Sequence, residues 1–198
     1  MKNKLLKLGI PKGSLEEKTI QLFYDAGYNI QIDKRSYHLK IDDPEIECIL
    51  IRAQEIPKYI GKGVIDAGIT GKDLIVESKV DLIEIADLEY SKGGSGKVRL
   101  VLAVPEDSNI KSVKDLAGKT IATEFIGIAK DYLRKNKVEA NVEFSWGATE
   151  IKIPHLADAI VELTDTGATL KAHNLKIIDT LMKSSAKFIT NRNAWQNK

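Results

Sequence analysis

The run Asp158-Ala159-Ile160-Val161-Glu162-Leu163-Thr164-Asp165-Thr166-Gly167-Ala168-Thr169-Leu170 concentrates the groups in this sequence best suited to hold a phosphate. An apolar strand over 159–163 carries acids at its start and its end, then delivers a Thr- and Gly-rich turn to a helix opening near Leu170. Such a turn points several backbone N–H groups one way, the helix start adds partial positive charge, and Gly167 keeps the approach open. The hydroxyls of Thr164, Thr166 and Thr169 add donors for the same phosphate, with Ala168 between them. A capped helix following a strand accounts for the same residues without any ligand.

Other groups supply complementary chemistry. Lys12, in Pro11-Lys12-Gly13, follows a strand and precedes a helix, which is where open α/β sheets place ligand groups. Arg35 and Arg52 lie near strand ends and could hold a polyphosphate by forked hydrogen bonds; taken singly, each is an ordinary surface residue. Glu124 and Glu150 each follow an Ala-Thr pair and could bind ribose hydroxyls or a metal-bound water, with helix capping as the competing role. The glycines of 63–73 suggest close backbone approach, either to a ligand or within the fold. His38, His155 and His173 are scattered without metal-ligand spacing, so no protein metal site is expected. The sequence contains neither a Walker-type loop nor a Gly-x-Ser-x-Gly elbow.

These residues need elements to position them. Strands are expected over 5–10, 46–51, 64–70, 82–86, 98–104, 119–123, 142–145, 159–163, 176–181 and 186–190. Ser14-Leu15-Glu16-Glu17 reads as a capping box opening a helix, with Leu15, Leu22, Phe23 and Ala26 on one face and Gly27 at its end. Pro57 fits the first turn of a short helix. Further helices are expected over 72–77, 126–136 and 150–157, and Ser112-Val113-Lys114-Asp115 caps another short one. Repeated strand–helix–strand units give an α/β fold with mixed, mainly parallel sheets. The Gly-rich segment 91–97 is where the chain would cross between two lobes. Lobe I is expected to take 1–90 and 183–198; lobe II, 91–182, carries the Thr-Gly loop, with a cleft between lobes.

Bulk properties narrow the function. With 198 residues, 43% hydrophobic and 29% charged, the chain is an ordinary globular protein. A net charge of +2 gives no field favouring nucleic acid or an anionic membrane, so anionic ligands must be held locally. Aromatics, at 6%, do not alternate with basic residues as a single-strand platform requires. Apolar runs are strand length, and the N-terminal apolar stretch, broken by Lys7, is no signal peptide. The single cysteine, Cys48, sits in a strand-like run as a core residue and fits a reducing cytoplasm.

Six segments, in order along nearly the whole chain, together resemble the ATP phosphoribosyltransferase family of histidine biosynthesis. They are Ile10-Pro11-Lys12-Gly13, Leu50-Ile51-Arg52-Ala53-Gln54, Asp66-Ala67-Gly68-Ile69-Thr70-Gly71-Lys72-Asp73, Ile121-Ala122-Thr123-Glu124, Gly147-Ala148-Thr149-Glu150 and the 158–170 stretch. The resemblance implies a two-lobed fold like the type II periplasmic binding proteins. It also implies transfer of the phosphoribosyl group of phosphoribosyl pyrophosphate to N1 of ATP. The 164–169 loop would take the 5′-phosphate, and Glu162 and Asp165 the ribose hydroxyls. Lys12, Arg35 and Arg52 would neutralise the departing pyrophosphate, and Mg2+ would arrive with that substrate.

The resemblance further implies a cytoplasmic homodimer or higher oligomer, and a histidyl-tRNA-synthetase-like regulatory subunit if the chain is of the short class. A long-class protein would instead continue into a histidine-binding domain, which these residues do not include. Two positions depart from the family pattern: Ser14 stands where Arg is frequent, and His155 where Gly is common. A two-lobed small-molecule binding module and a catalytically silent relative are the alternative readings, because fold alone does not settle function.

Overall fold

The computed structural model describes residues 5–32, 36–88 and 98–197. Arg35 and the 91–97 crossing therefore lie outside the described residues. The chain divides into two compact units, one of residues up to 90 with 185–198, the other of 91–184. The return to the first unit falls at Ser185, against an expected 183.

In chain order the first unit holds β1 (Leu6–Lys12), α1 (Glu16–Asp25), β2 (Ile30–Gln31), β3 (His38–Ile41), β4 (Ile46–Arg52), α2 (Ile56–Gly61), β5 (Ala67–Gly71), α3 (Lys72–Ser78) and β6 (Ile83–Leu88). The second holds β7 (Val98–Pro105), β8 (Thr120–Thr123), α4 (Ile126–Asn136), β9 (Asn141–Phe144), β10 (Ala159–Thr164), α5 (Ala168–Ala172) and β11 (Leu175–Ser184). Short 3-10 turns cover Val113–Leu116 and Thr149–Lys152. The chain then returns through β12 (Ala186–Thr190) to α6 (Arg192–Asn197) in the first unit.

The first unit's sheet runs β2-β3-β4-β1-β5-β12-β6, and the second's β11-β7-β10-β8-β9. Both are mixed, and the mainly parallel expectation is corrected. Parallel pairing is confined to β4-β1-β5 and β10-β8-β9, while every flanking pair is antiparallel. The reason is that β12 inserts between β5 and β6, and β7 between β10 and β11, each antiparallel to both neighbours, while β2, β3 and β4 follow one another without the helical crossover a parallel neighbour requires.

Each sheet is covered by its own core. Leu8, Ile10, Leu39, Cys48 and Leu50 pack with Ile20 and Phe23 of α1 in the first unit. In the second, Val101, Ala103, Ala122 and Ile160 pack with Ile153, Leu170 and Leu175. Burial pushes the Cys48 thiol up to about 11, which keeps it an unreactive core residue.

Several local expectations are corrected. The 14–17 capping box does not form: Leu15 is the cap residue, and the Glu16 carboxylate accepts the Gly13 N–H at 3.2 Å. The face of α1 turned to the core is Thr19, Ile20 and Phe23, and Leu22 is exposed. Strand β1 continues through Pro11 and Lys12, and β5 starts at Ala67 rather than at 64. A helix over 150–157 is replaced by the single turn Thr149–Lys152, since Pro154 lacks an N–H and its ring obstructs the preceding turn.

The glycines of 63–73 serve the fold. A Cβ on Gly68 would lie 2.9 Å from the Gly9 carbonyl oxygen and 2.8 Å from Ile56 Cγ2, so glycine there lets α2 lie against the sheet. At Gly71 the corresponding space is taken by the Asp73 carboxylate.

Candidate functional site

Parallel pairing of β8, β9 and β10 brings their C-terminal ends together: Val161 is opposite Thr123, which is itself opposite Phe144. Glu124 and Glu162 thus extend from adjacent strand ends. Glu150 joins them from the 3-10 turn; its Ala148-Thr149 pair does not end a strand, as β9 stops at Phe144. The segment between is pinned to the sheet, with the Ser145 N–H donating to the Thr123 carbonyl at 3.0 Å. Gly147 (φ 75°) and Ala148 (φ 46°) then turn it through left-handed backbone. A Cβ at Gly147 would stand 3.2 Å from Glu124 Oε1, so glycine here gives the Glu124 carboxylate its room.

Glu162 is held at both oxygens. The Leu163 N–H donates to Oε1 at 2.8 Å, and the buried Thr149 hydroxyl donates to Oε2. Burial raises its pKa above the ordinary carboxylate value, and the nearby charges of Glu124 and Glu150 act in the same direction. The two hydrogen bonds oppose that rise without cancelling it. Three acids thus concentrate negative potential at one sheet end, which a ligand bringing hydroxyl donors or a cation would relieve.

The loop after β10 differs in detail from the sequence reading. The Gly167 N–H donates to Thr164 Oγ1 at 2.9 Å, and the Ala168 N–H to Thr166 Oγ1 at 3.3 Å. Those two amides are therefore occupied, and α5, with five residues, has only a small dipole. The hydroxyls gain what the amides give up. Each accepts a backbone N–H, which fixes its oxygen and leaves its proton to donate outward. Gly167, at φ 84°, makes the turn. Thr164 is buried, Asp165 half-buried, and Thr166, Ala168 and Thr169 exposed. A small anion can therefore reach the loop from solvent.

Asp158 is not with them. It immediately precedes β10, a strand of six residues, which puts it roughly 20 Å from the loop at ~3.3 Å per residue. There Oδ2 accepts the Thr120 N–H at 2.9 Å and Oδ1 pairs with Lys119 at 3.2 Å. The Thr120 amide above all, with Lys119 adding to it, holds its carboxyl below the ordinary range against the opposing effect of burial. Asp158, which the sequence grouped with the substrate-binding candidates of the 158–170 run, here fastens β10 to β8 at the end of the strand away from the loop.

Lys12 and Arg52 stand in the first unit, directly opposite each other at the ends of β1 and β4. Two exposed like charges in register are unfavourable by themselves. No carboxylate among the described residues pairs with either; Lys12 Nζ instead lies 4.8 Å from the centre of the Tyr37 ring. An anion would offset their repulsion.

Sequence reasoning missed Thr149, Gly147 and Tyr37. Thr149 and Gly147 sit inside a segment that carried the family resemblance, but their partners Glu162 and Glu124 are distant in sequence. Tyr37 carried no signal at all.

These features define a class: an α/β chain of two mixed-sheet units with an anion-suited loop at a strand end, in the fold of type II periplasmic binding proteins. The periplasmic aliphatic sulphonate binding protein SsuA from Escherichia coli shares that fold. Its TM-score is 0.59 at 18% identity, over 98% of this chain and 67% of that one. Similarity becomes specific elsewhere. The ATP phosphoribosyl transferase (HisG:HisZ) complex from Thermotoga maritima contains a chain matching at TM-score 0.85 and 29% identity, with 98% of this chain and 90% of that one covered. An ATP phosphoribosyltransferase of Thermodesulfovibrio yellowstonii is 57% identical over 197 residues, 100% of this chain and 68% of that enzyme. The chain belongs to the ATP phosphoribosyltransferase (HisG) family, whose profile matches residues 52–198. It spans about two thirds of the length of the curated relatives it matches.

Proposed function

We propose that this chain catalyses the family's reaction, transfer of the phosphoribosyl group of phosphoribosyl pyrophosphate to N1 of ATP with release of pyrophosphate, the first step of histidine biosynthesis. The observation that carries it is the β10 end. A two-donor-held Glu162 immediately precedes a loop whose threonine hydroxyls are oriented by backbone amides, inside the span that matches the family.

In this reading Thr164, Thr166 and Thr169, with Gly167 and Ala168, take the 5′-phosphate. Glu162 and Asp165 orient the ribose hydroxyls, while Glu124 and Glu150 contribute to binding the ribose or the second nucleotide. As the bond from C1 to the diphosphate lengthens, charge accumulates on the leaving group. Lys12, Arg35 and Arg52 are assigned to that charge, where fixed cations lower the barrier most. N1 of ATP forms the new bond directly, so no enzyme nucleophile is required. Among the described residues no three His, Cys, Asp or Glu form an ion's cage. Magnesium would be supplied with the diphosphate, its hard oxygen ligands coming from substrate and water.

A cytoplasmic location, which suits the reaction's substrates, is part of this proposal. No helix among the described residues is long and apolar enough to cross a membrane. Assembly as a homodimer or larger, and with a regulatory subunit, belongs to the same proposal; the Thermotoga neighbour is itself a complex of HisG with HisZ.

Calorimetry with phosphoribosyl pyrophosphate and magnesium tests the loop. The Thr166→Ala, Thr169→Ala double variant removes two donors of ~1 kcal/mol each, so binding should weaken by about tenfold or more with melting unchanged. Unchanged affinity would remove the loop from the site. The fold shared with the sulphonate-binding protein favours a second reading, a binding module, which predicts the same binding without turnover.

A further inference from the structure

We propose that Thr149 is a positioning residue for Glu162: its hydroxyl, set by the 145–150 segment, fixes the orientation in which that carboxylate meets the ribose hydroxyls. The inference rests on the assignment of Glu162 to the sugar and adds the group that aims it.

Glu162 has three rotatable side-chain bonds, and an acid at a strand end ordinarily samples several rotamers. Here two donors from different elements engage its two oxygens. One is the Leu163 N–H within β10, and the other is the Thr149 hydroxyl from the 3-10 turn. Together they define the plane of the carboxylate and the direction of its remaining lone pairs.

Three other buried threonines supply a contrast. Thr70, Thr123 and Thr190 donate their hydroxyls to the carbonyls of Ala53, Val161 and Asp66, each at 2.7 Å, as hydroxyls do when they only need to be satisfied inside a fold. Thr149, with 0% exposure, spends its hydroxyl on a carboxylate that the reaction would use.

The backbone leading to it is shaped for this delivery. Ala148, a non-glycine residue at φ 46°, directly precedes Thr149. The surrounding structure must hold that conformation, and Ser145 anchors the segment that leads into it. Its N–H is tied to Thr123, and its hydroxyl donates to the Gly147 carbonyl at 3.3 Å. Strain placed one residue before a group that orients an acid is how preorganised sites are built. The donor also stabilises the charged form of Glu162 against burial and the two neighbouring acids, so losing it should move the titration of Glu162 upward.

The test uses the full chain with Thr149→Val, which keeps the shape and removes the donor, Thr149→Ser, which keeps the donor, and Glu162→Gln. Steady-state kinetics with phosphoribosyl pyrophosphate varied are run across pH, and the Glu162 carboxyl is titrated by carbon-13 NMR. Thr149→Val should lower kcat/KM by about tenfold, the size of one lost hydrogen bond to a charged group. Its acid-side pH limb and the Glu162 titration should both move to higher pH, and Thr149→Ser should restore both to near the parent. In the Glu162→Gln background Thr149→Val should add little, because the two act as a unit.

An unaltered pH limb in Thr149→Val, a Thr149→Ser variant as impaired as Thr149→Val, or additive losses would each overturn the positioning role. If Glu162→Gln alone left kcat/KM unchanged, the assignment of Glu162 itself would fall. The NMR titration would still show whether the Thr149 contact exists, so the two failures are distinguishable.

Discussion

Replacing Asp158 should cost stability and leave substrate binding untouched. Its carboxylate accepts the Thr120 N–H at 2.9 Å and pairs with Lys119 at 3.2 Å. A hydrogen bond to a charged group contributes ~1.5–3 kcal/mol when shielded. The side chains here are 38% and 46% exposed, so the lower end applies and the ion pair adds little. Asp158→Ala is therefore expected to destabilise by about 1–2 kcal/mol, and Asp158→Asn, which keeps a neutral acceptor, by roughly half that. For a chain of this length the alanine variant should melt ~2–8 °C lower at pH 7.

The pH dependence has a definite sign. The native pKa of Asp158 is depressed, so its contribution is full above the ordinary aspartate range. It disappears as pH falls through the native value. Parent and variant melting curves should therefore differ most near neutrality and converge in acid. Calorimetry with phosphoribosyl pyrophosphate at pH 7 should give the parent affinity. A variant that melts like the parent, or that binds tenfold more weakly while folded, would refute the separation of the two ends of β10.

Two further substitutions probe the acid cluster. Gly147→Ala places a Cβ at φ 75° and 3.2 Å from Glu124 Oε1, so it should lose ~1–2 kcal/mol and weaken substrate binding as Glu124 shifts. Gly118→Ala, at φ 72° with open space around it, should show a similar melting loss with binding intact; equal binding in both variants would deny Glu124 a role. Glu162→Gln should flatten the pH dependence of melting. The raised native pKa makes the parent lose stability as pH climbs from the ordinary carboxylate range to the native value. At neutral pH the variant should melt no lower than the parent yet bind phosphoribosyl pyrophosphate more weakly, and a lower melting point would contradict the sign.

Much of the frame was legible because its signals are local. Helix α4 occupies the expected 126–136, and β12 the expected 186–190, since apolar periodicity and flanking turn residues suffice for both. The 150–157 helix failed where Pro154 outweighed an apparently helical run. The 14–17 capping box failed because Glu16, not Ser14, met the backbone first. Acids at the two ends of one strand looked equivalent in sequence. Only the parallel register with β8 shows that Asp158 lies at the end fastened to Lys119 and Glu162 at the end that gathers the loops. Thr149 was not legible as a site residue, because its partner is on another element and depends on the left-handed turn at 147–148.

The central claim is turnover, and a direct assay decides it. Purified chain would be mixed with ATP, phosphoribosyl pyrophosphate and magnesium, with pyrophosphatase to draw the reaction forward and absorbance to follow phosphoribosyl-ATP. Product that requires both substrates is the predicted result. A folded chain that binds phosphoribosyl pyrophosphate yet forms no product, alone or with a regulatory subunit of the HisZ kind, would contradict it.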